Sequence, residues 1–275
     1  MPSFTIARQS VSGAFHNWRL WLFQFVGNPL LYLFFYAWIL IPVASTLYVL
    51  LNILVALILL AAVIALHGGT LNYFSDKPSS DDAPLKQMVS HALRNILPIL
   101  ICAAAFYFLW MLMDKVDDLQ VTFPTYVRST FSASLRKHIP VSNLENTFAV
   151  IAFALRWILI PGLILPFAAS ASNRGFRGFG AVGVRSWKNA VSNFSYWLVL
   201  AITAIVGVFV TKTVLNFTPD FAKSTYRYEW ASLIIRLVIS YSLALIAWMA
   251  TCSLIGRYAS IDAASGAEVS GKPNA

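Results

Sequence analysis

The chain has 275 residues, of which 59% are hydrophobic and 11% charged, and its formal net charge is +9. Soluble globular domains carry roughly 45–50% apolar and about 25% charged residues, so a water-soluble monomer is excluded, as is a disordered chain, whose composition is the reverse. What remains is an all-α polytopic integral membrane protein, in which excess Lys and Arg speak for topology and anionic lipid head groups rather than nucleic acid.

In chain order, the first twenty residues do not read as a cleavable signal. Gln9, Ser10, Ser12, His16, Asn17 and Arg19 interrupt any apolar run there, so the segment is expected to stay as the first anchor. A span needs roughly 20 mostly apolar residues. Residues 20–74 hold more than two such lengths, punctuated by Gly27-Asn28-Pro29 and Pro42. The first span is expected over about 28–45, with Pro29 in its opening turn and residues 18–26 as a lead-in. The second is expected over about 46–66. His67-Gly68-Gly69 then reads as a helix stop and 67–82 as a polar loop.

Residues 84–95 place Leu85, Met88, Val89, Ala92 and Leu93 at i, i+3, i+4 spacing, the pattern of a short amphipathic helix. The third span follows over about 96–113. A polar stretch over 114–144 contains Asp114, Asp117 and Asp118, which read as a solvated cap rather than a metal site. The fourth span is expected over 146–170. A glycine-rich basic loop (172–183) leads into a second short amphipathic segment (184–191). The fifth and sixth spans are expected over 193–214 and 228–255. A single transmembrane domain thus covers 1–262, and 263–275 has the composition of a flexible tail.

Six spans put both termini on one side. Basic residues decide which, because cytoplasmic loops carry excess Lys and Arg. Eleven of them fall on the terminal side and seven on the other, so the termini and the loops after the second and fourth spans are expected in the cytoplasm of a bacterial inner membrane. Arg94, Arg174, Arg177, Arg185 and Lys188 are the candidate lipid head-group contacts on that side.

VSGAFHNW at 11–18, VSHALRNI at 89–96 and, more loosely, GVRSWKNA at 183–190 resemble one another. Each precedes two spans. The chain therefore reads as three units, about 5–75, 84–170 and 180–257, each an interfacial helix followed by a hairpin, a kind of repetition known in transport folds.

One awkward polar residue falls in the second helix of each unit: Asn52, Arg156 and Arg236. An arginine at mid-span costs about 3 kcal/mol on insertion scales. Glu145 and Glu229 share helix faces with the two arginines but lie too far along the helix to pair directly. Two readings follow. Each arginine packs on backbone carbonyls or a facing carboxylate, or the three residues line a shared cavity for an anionic ligand or lipid head group.

No HExxH, GxSxG, Walker A or paired-cysteine zinc spacing is present. Cys102 and Cys252 lie in apolar runs and read as small hydrophobes. His16, His67, His91 and His138 read as interfacial polar residues. No catalytic residue, metal or cofactor is expected. The basic glycine-rich stretch GFRGFGAVGVRSWKNAVSNFSYW (175–197) and the 84–94 helix resemble a loose group of uncharacterised six-helix bacterial inner-membrane proteins. That group includes the membrane domain fused to some glycerophosphodiester phosphodiesterases. The resemblance implies a membrane domain without an established catalytic set. The expected function is a non-enzymatic scaffold or accessory subunit binding lipid and a partner membrane complex; the alternative is a transporter or lipid-handling protein with a polar intramembrane cavity.

Overall fold

A computed structural model describes residues 17–42, 44–75, 85–218 and 226–270, with 8, 12 and 15 besides, and only the backbone over 260–270. The described residues are almost wholly helical and contain no strand. Ten helices follow in order: α1 Trp18–Ile39, α2 Thr46–Ser75, α3 Leu85–Arg94, α4 Ile96–Asp118, α5 Thr122–Ser129, α6 Ala133–His138, α7 Val141–Phe179, α8 Ala181–Val191, α9 Phe194–Asn216 and α10 Tyr226–Ser270. Six of them, α1, α2, α4, α7, α9 and α10, are long and apolar enough to cross a membrane. The short helix expected before the first span lies outside the described residues.

Several boundaries differ from the sequence reading. The first span starts at Trp18, not Asn28, and Pro29 sits inside it. Asn17 caps it, accepting from the backbone N–H of Arg19 and Leu20 at 3.0 and 3.2 Å. Proline removes the N–H that would bond Phe25 O. The helix continues because the Tyr241 hydroxyl of α10 donates to that carbonyl at 2.8 Å.

His67-Gly68-Gly69 does not stop α2, which runs on to Ser75. The two glycines serve close packing. A Cβ on Gly68 would stand 3.2 Å from Ile99 Cδ1, and one on Gly69 3.4 Å from Met88 Cε. The true glycine stop is Gly175, whose φ of 62° closes the α-helical part of α7 before a last 3₁₀ turn. Asn95 lies against it and donates from Nδ2 to Ser172 O at 2.8 Å. At the other end of the chain, α10 continues to Ser270 through most of the segment read as a tail. That stretch holds three alanines and no proline, and Gly266 weakens the helix by only about 1 kcal/mol relative to Ala.

One end of the bundle gathers the start of α1, the end of α2, α3, the end of α7, α8 and the 250s of α10. Asn17 Nδ2 donates to the Tyr73 hydroxyl at 3.1 Å, and Gly256 passes so close to α2 that a Cβ would fall 2.4 Å from Phe74 C. This is called the terminal end, and the opposite one, with α5 and α6, the distal end. The main core lies toward the terminal end, where Phe74, Met88, Tyr196, Met249 and Ile255 are buried together. Around it the outward residues of the spans are exposed and aliphatic or aromatic, as a lipid-facing surface requires.

The spans are not equally embedded. α1 buries only Leu20 and Gln24, and the first eighteen residues of α2 only Leu59. These stretches pack chiefly on each other, whereas α4, α7, α9 and α10 form the tighter body.

Candidate functional site

Helical order breaks in the same way at three places. Ile64–Gly68 in α2, Leu155–Leu159 in α7 and Ile205–Val210 in α9 are π-helical. A π-turn inserts a residue and leaves carbonyls poorly matched to the helix ladder; such bulges recur at functional sites. In a bilayer those carbonyls need side-chain partners, and the segments of α2 and α9 have them. Leu66 O accepts from Gln24 Nε2 at 3.0 Å and Thr70 Oγ1 at 2.8 Å. Gly68 O accepts from Ser172 Oγ at 2.7 Å, and Val206 O from Thr211 Oγ1 at 3.1 Å.

All three segments border one cavity of about 590 Å³ between α2, α4, α7, α9 and α10, contributing His67, Trp157 and Gly207 among others. The cavity follows α2 from Leu60 to Leu71, a length on the order of 16 Å at 1.5 Å per residue. Its size is that of a small-molecule site. Leu60, Val63 and Ala103 border it and are exposed, and the first eighteen residues of α2 scarcely touch α4. It therefore opens sideways between α2 and α4, where α2 stands off from the body.

Polarity within the cavity is graded. Toward the distal end the walls are Leu60, Val63, Phe106, Val208 and Ala244. Toward the terminal end they include Cys102, His67, Trp248, Thr203 and Thr251. The His67 and Trp248 rings meet edge to face with centroids 5.3 Å apart. His67 Nδ1 and Trp248 Nε1 are buried without a hydrogen-bond partner. Thr251 Oγ1 donates toward Thr203 Oγ1 at 3.0 Å, and Thr203 Oγ1 donates to Leu200 O at 2.9 Å. No Asp, Glu, Lys or Arg lines this cavity among the described residues.

The three polar residues singled out in the sequence lie elsewhere and apart. Asn52 Nδ2 donates to Tyr48 O of its own helix at 2.9 Å. Arg156 pairs with Asp114 at 2.6 Å and Asp117 at 2.9 Å, with its guanidinium 5.0 Å over the Trp110 ring. Arg236 donates from Nη1 to Leu215 O at 3.1 Å and Phe217 O at 2.7 Å, capping the end of α9. It borders a separate hollow of about 540 Å³ between α9 and α10. Both arginines thus meet the carboxylate or carbonyl partners of the first reading.

They also sit level with the last turns of α4 and α9, not at mid-span, because α7 and α10 run further out at the distal end. The acidic residues read as a solvated cap are in part the partners of Arg156. Of the head-group candidates, Arg94, Arg177, Arg185 and Lys188 are exposed and Arg174 is half-buried, all at the terminal end.

The sequence reading missed Trp248, Thr203 and Thr251, and took His67 for an interfacial residue. A histidine followed by only eight more residues of helix was the one available signal. No group of three or more metal-ligating side chains occurs among the described residues. No protein-family model, curated protein or solved structure matches the chain.

Proposed function

We propose that this is a non-enzymatic lipid-handling protein of a bacterial inner membrane, which admits an apolar chain from the bilayer into its central cavity. The observation that carries the reading is the cavity, bounded by π-segments from three spans and open sideways beside the loosely held α1 and α2. Discontinuous helices around a mid-membrane site are a known feature of transport folds. The basic terminal end faces the cytoplasm in this reading, where each Lys or Arg near anionic lipid contributes about 1 kcal/mol of attraction. α3 and α8, which bury Met88 and Ala92, and Gly183, Ser186 and Ala190, lie along that surface and introduce the second and third hairpins of a threefold repeat. A scaffold or accessory-subunit role is compatible with the same surface, but no particular feature of the geometry favours it over lipid handling.

The test is purification from the native membrane in a gentle detergent, with mass spectrometry of retained lipids. An apolar lipid retained one to one is expected, and its loss in Ala204→Phe, which fills the cavity wall. Equal retention by that variant, or no retained lipid in either protein, would contradict the reading.

A further inference from the structure

Resting on that reading, we infer that the cavity's occupant is an uncharged lipid whose carbonyl oxygen is held at the His67–Trp248 pair, with its hydrocarbon chain running toward the distal end.

Three features select this chemistry. First, among the described residues the lining holds no acidic or basic side chain other than His67. A phosphate or carboxylate placed there would lose its hydration with no counter-charge to replace it. Arg156 and Arg236 are engaged elsewhere, Arg156 on carboxylates and Arg236 on carbonyls. The exposed cations of the terminal end stand outside the cavity lining. Second, the histidine, the thiol and the hydroxyls lie in the terminal half, and the distal half is hydrocarbon or aromatic, the Trp157 indole included. That is the profile of an amphiphile with a small head, oriented as a lipid of the terminal-side leaflet.

Third, the two nitrogens are the buried side-chain polar atoms bordering this cavity that lack a partner. Trp248 Nε1–H can only donate, so its partner must offer an acceptor oxygen; His67 Nδ1 can donate or accept according to tautomer. Leaving such groups unpaired costs on the order of 1–3 kcal/mol each, a cost that an entering carbonyl removes. Both nitrogens are covered by neighbouring atoms as the rings stand, so engagement takes a small rotation of the paired rings. The π-turn that carries His67 supplies backbone play for it.

The experiment uses the full chain in nanodiscs and three diazirine-tagged probes of equal chain length: a fatty acid methyl ester, an alkane, and a lysophosphatidic acid. Photolabelled peptides are mapped by mass spectrometry. The ester is expected to label cavity peptides of α2, α9 and α10 saturably. The alkane should label them about fivefold less, the equivalent of one hydrogen bond, and the lysophosphatidic acid should give no saturable cavity label. Trp248→Phe should bring the ester down to the alkane's level, and His67→Phe should weaken it.

Equal labelling by ester and alkane, or preferred labelling by the anion, would overturn the inference while leaving an apolar occupant in place. Absence of cavity labelling by all three probes would instead sink the lipid-handling reading itself. The probe series on the unsubstituted protein keeps the test decisive if Trp248→Phe does not fold.

Discussion

Two tyrosines stand where two prolines would otherwise break spans. Pro29 frees Phe25 O and Pro166 frees Gly162 O, each four residues back. Tyr241 donates to the first at 2.8 Å and Tyr196 to the second at 2.8 Å. Each tyrosine comes from a different span, so each repair also fixes helix register. Tyr241→Phe should lower stability by about 1 kcal/mol, within the range of polar contacts in membrane bundles. In a Pro29→Ala background the restored N–H bonds Phe25 O internally, so the same substitution should cost close to nothing. A double-mutant cycle read by unfolding in mixed micelles checks this; additive effects would show that the hydroxyl does not stand in for the missing N–H. The prolines are plain in the sequence. Their partners are not, since Tyr241 lies 216 residues from Phe25.

At the scale of elements, Arg156 joins the π-turn of α7 to the last turns of α4. Its side chain is 17% exposed, against 63% and 43% for Asp114 and Asp117. That asymmetry sets the expected outcome. Arg156→Met leaves two carboxylates that reach water at the bundle's end and should cost about 1 kcal/mol. Asp114→Asn with Asp117→Asn leaves a half-enclosed cation without a counter-charge and should cost about 3 kcal/mol. Thermal unfolding of the two variants compares them, and the reverse order would mean that the carboxylates, not the arginine, hold the costly position. The sequence showed that Arg156 needed a partner. Periodicity sees only one helix, so it could place Glu145 on the same face, too far off to pair, but could not name the facing carboxylates, Asp114 and Asp117, about forty residues away. The π-turns were not legible either. They arise where glycine, proline and tertiary contacts meet, as at Gly68, Pro161 and Gly207, and no local pattern distinguishes them from ordinary helix.

At the scale of the whole molecule, the six helices long enough to cross a membrane were readable because each is a long apolar run, and hydrocarbon leaves the backbone few other choices. The cavity was not readable, because five helices supply its walls and its one histidine looked like a helix end. What function depends on is where that cavity opens. α1 and the outer part of α2 lean on each other more than on the body, and in the proposed reading the opening beside them faces hydrocarbon.

A spin label at position 103, in a chain with Cys102→Ala and Cys252→Ala, reports on this directly by collision with oxygen and with a polar nickel chelate in liposomes. Lateral access from lipid predicts frequent oxygen collisions and almost no chelate collisions. A label reached readily by the chelate would instead mark a water-filled passage and contradict the lipid-handling account.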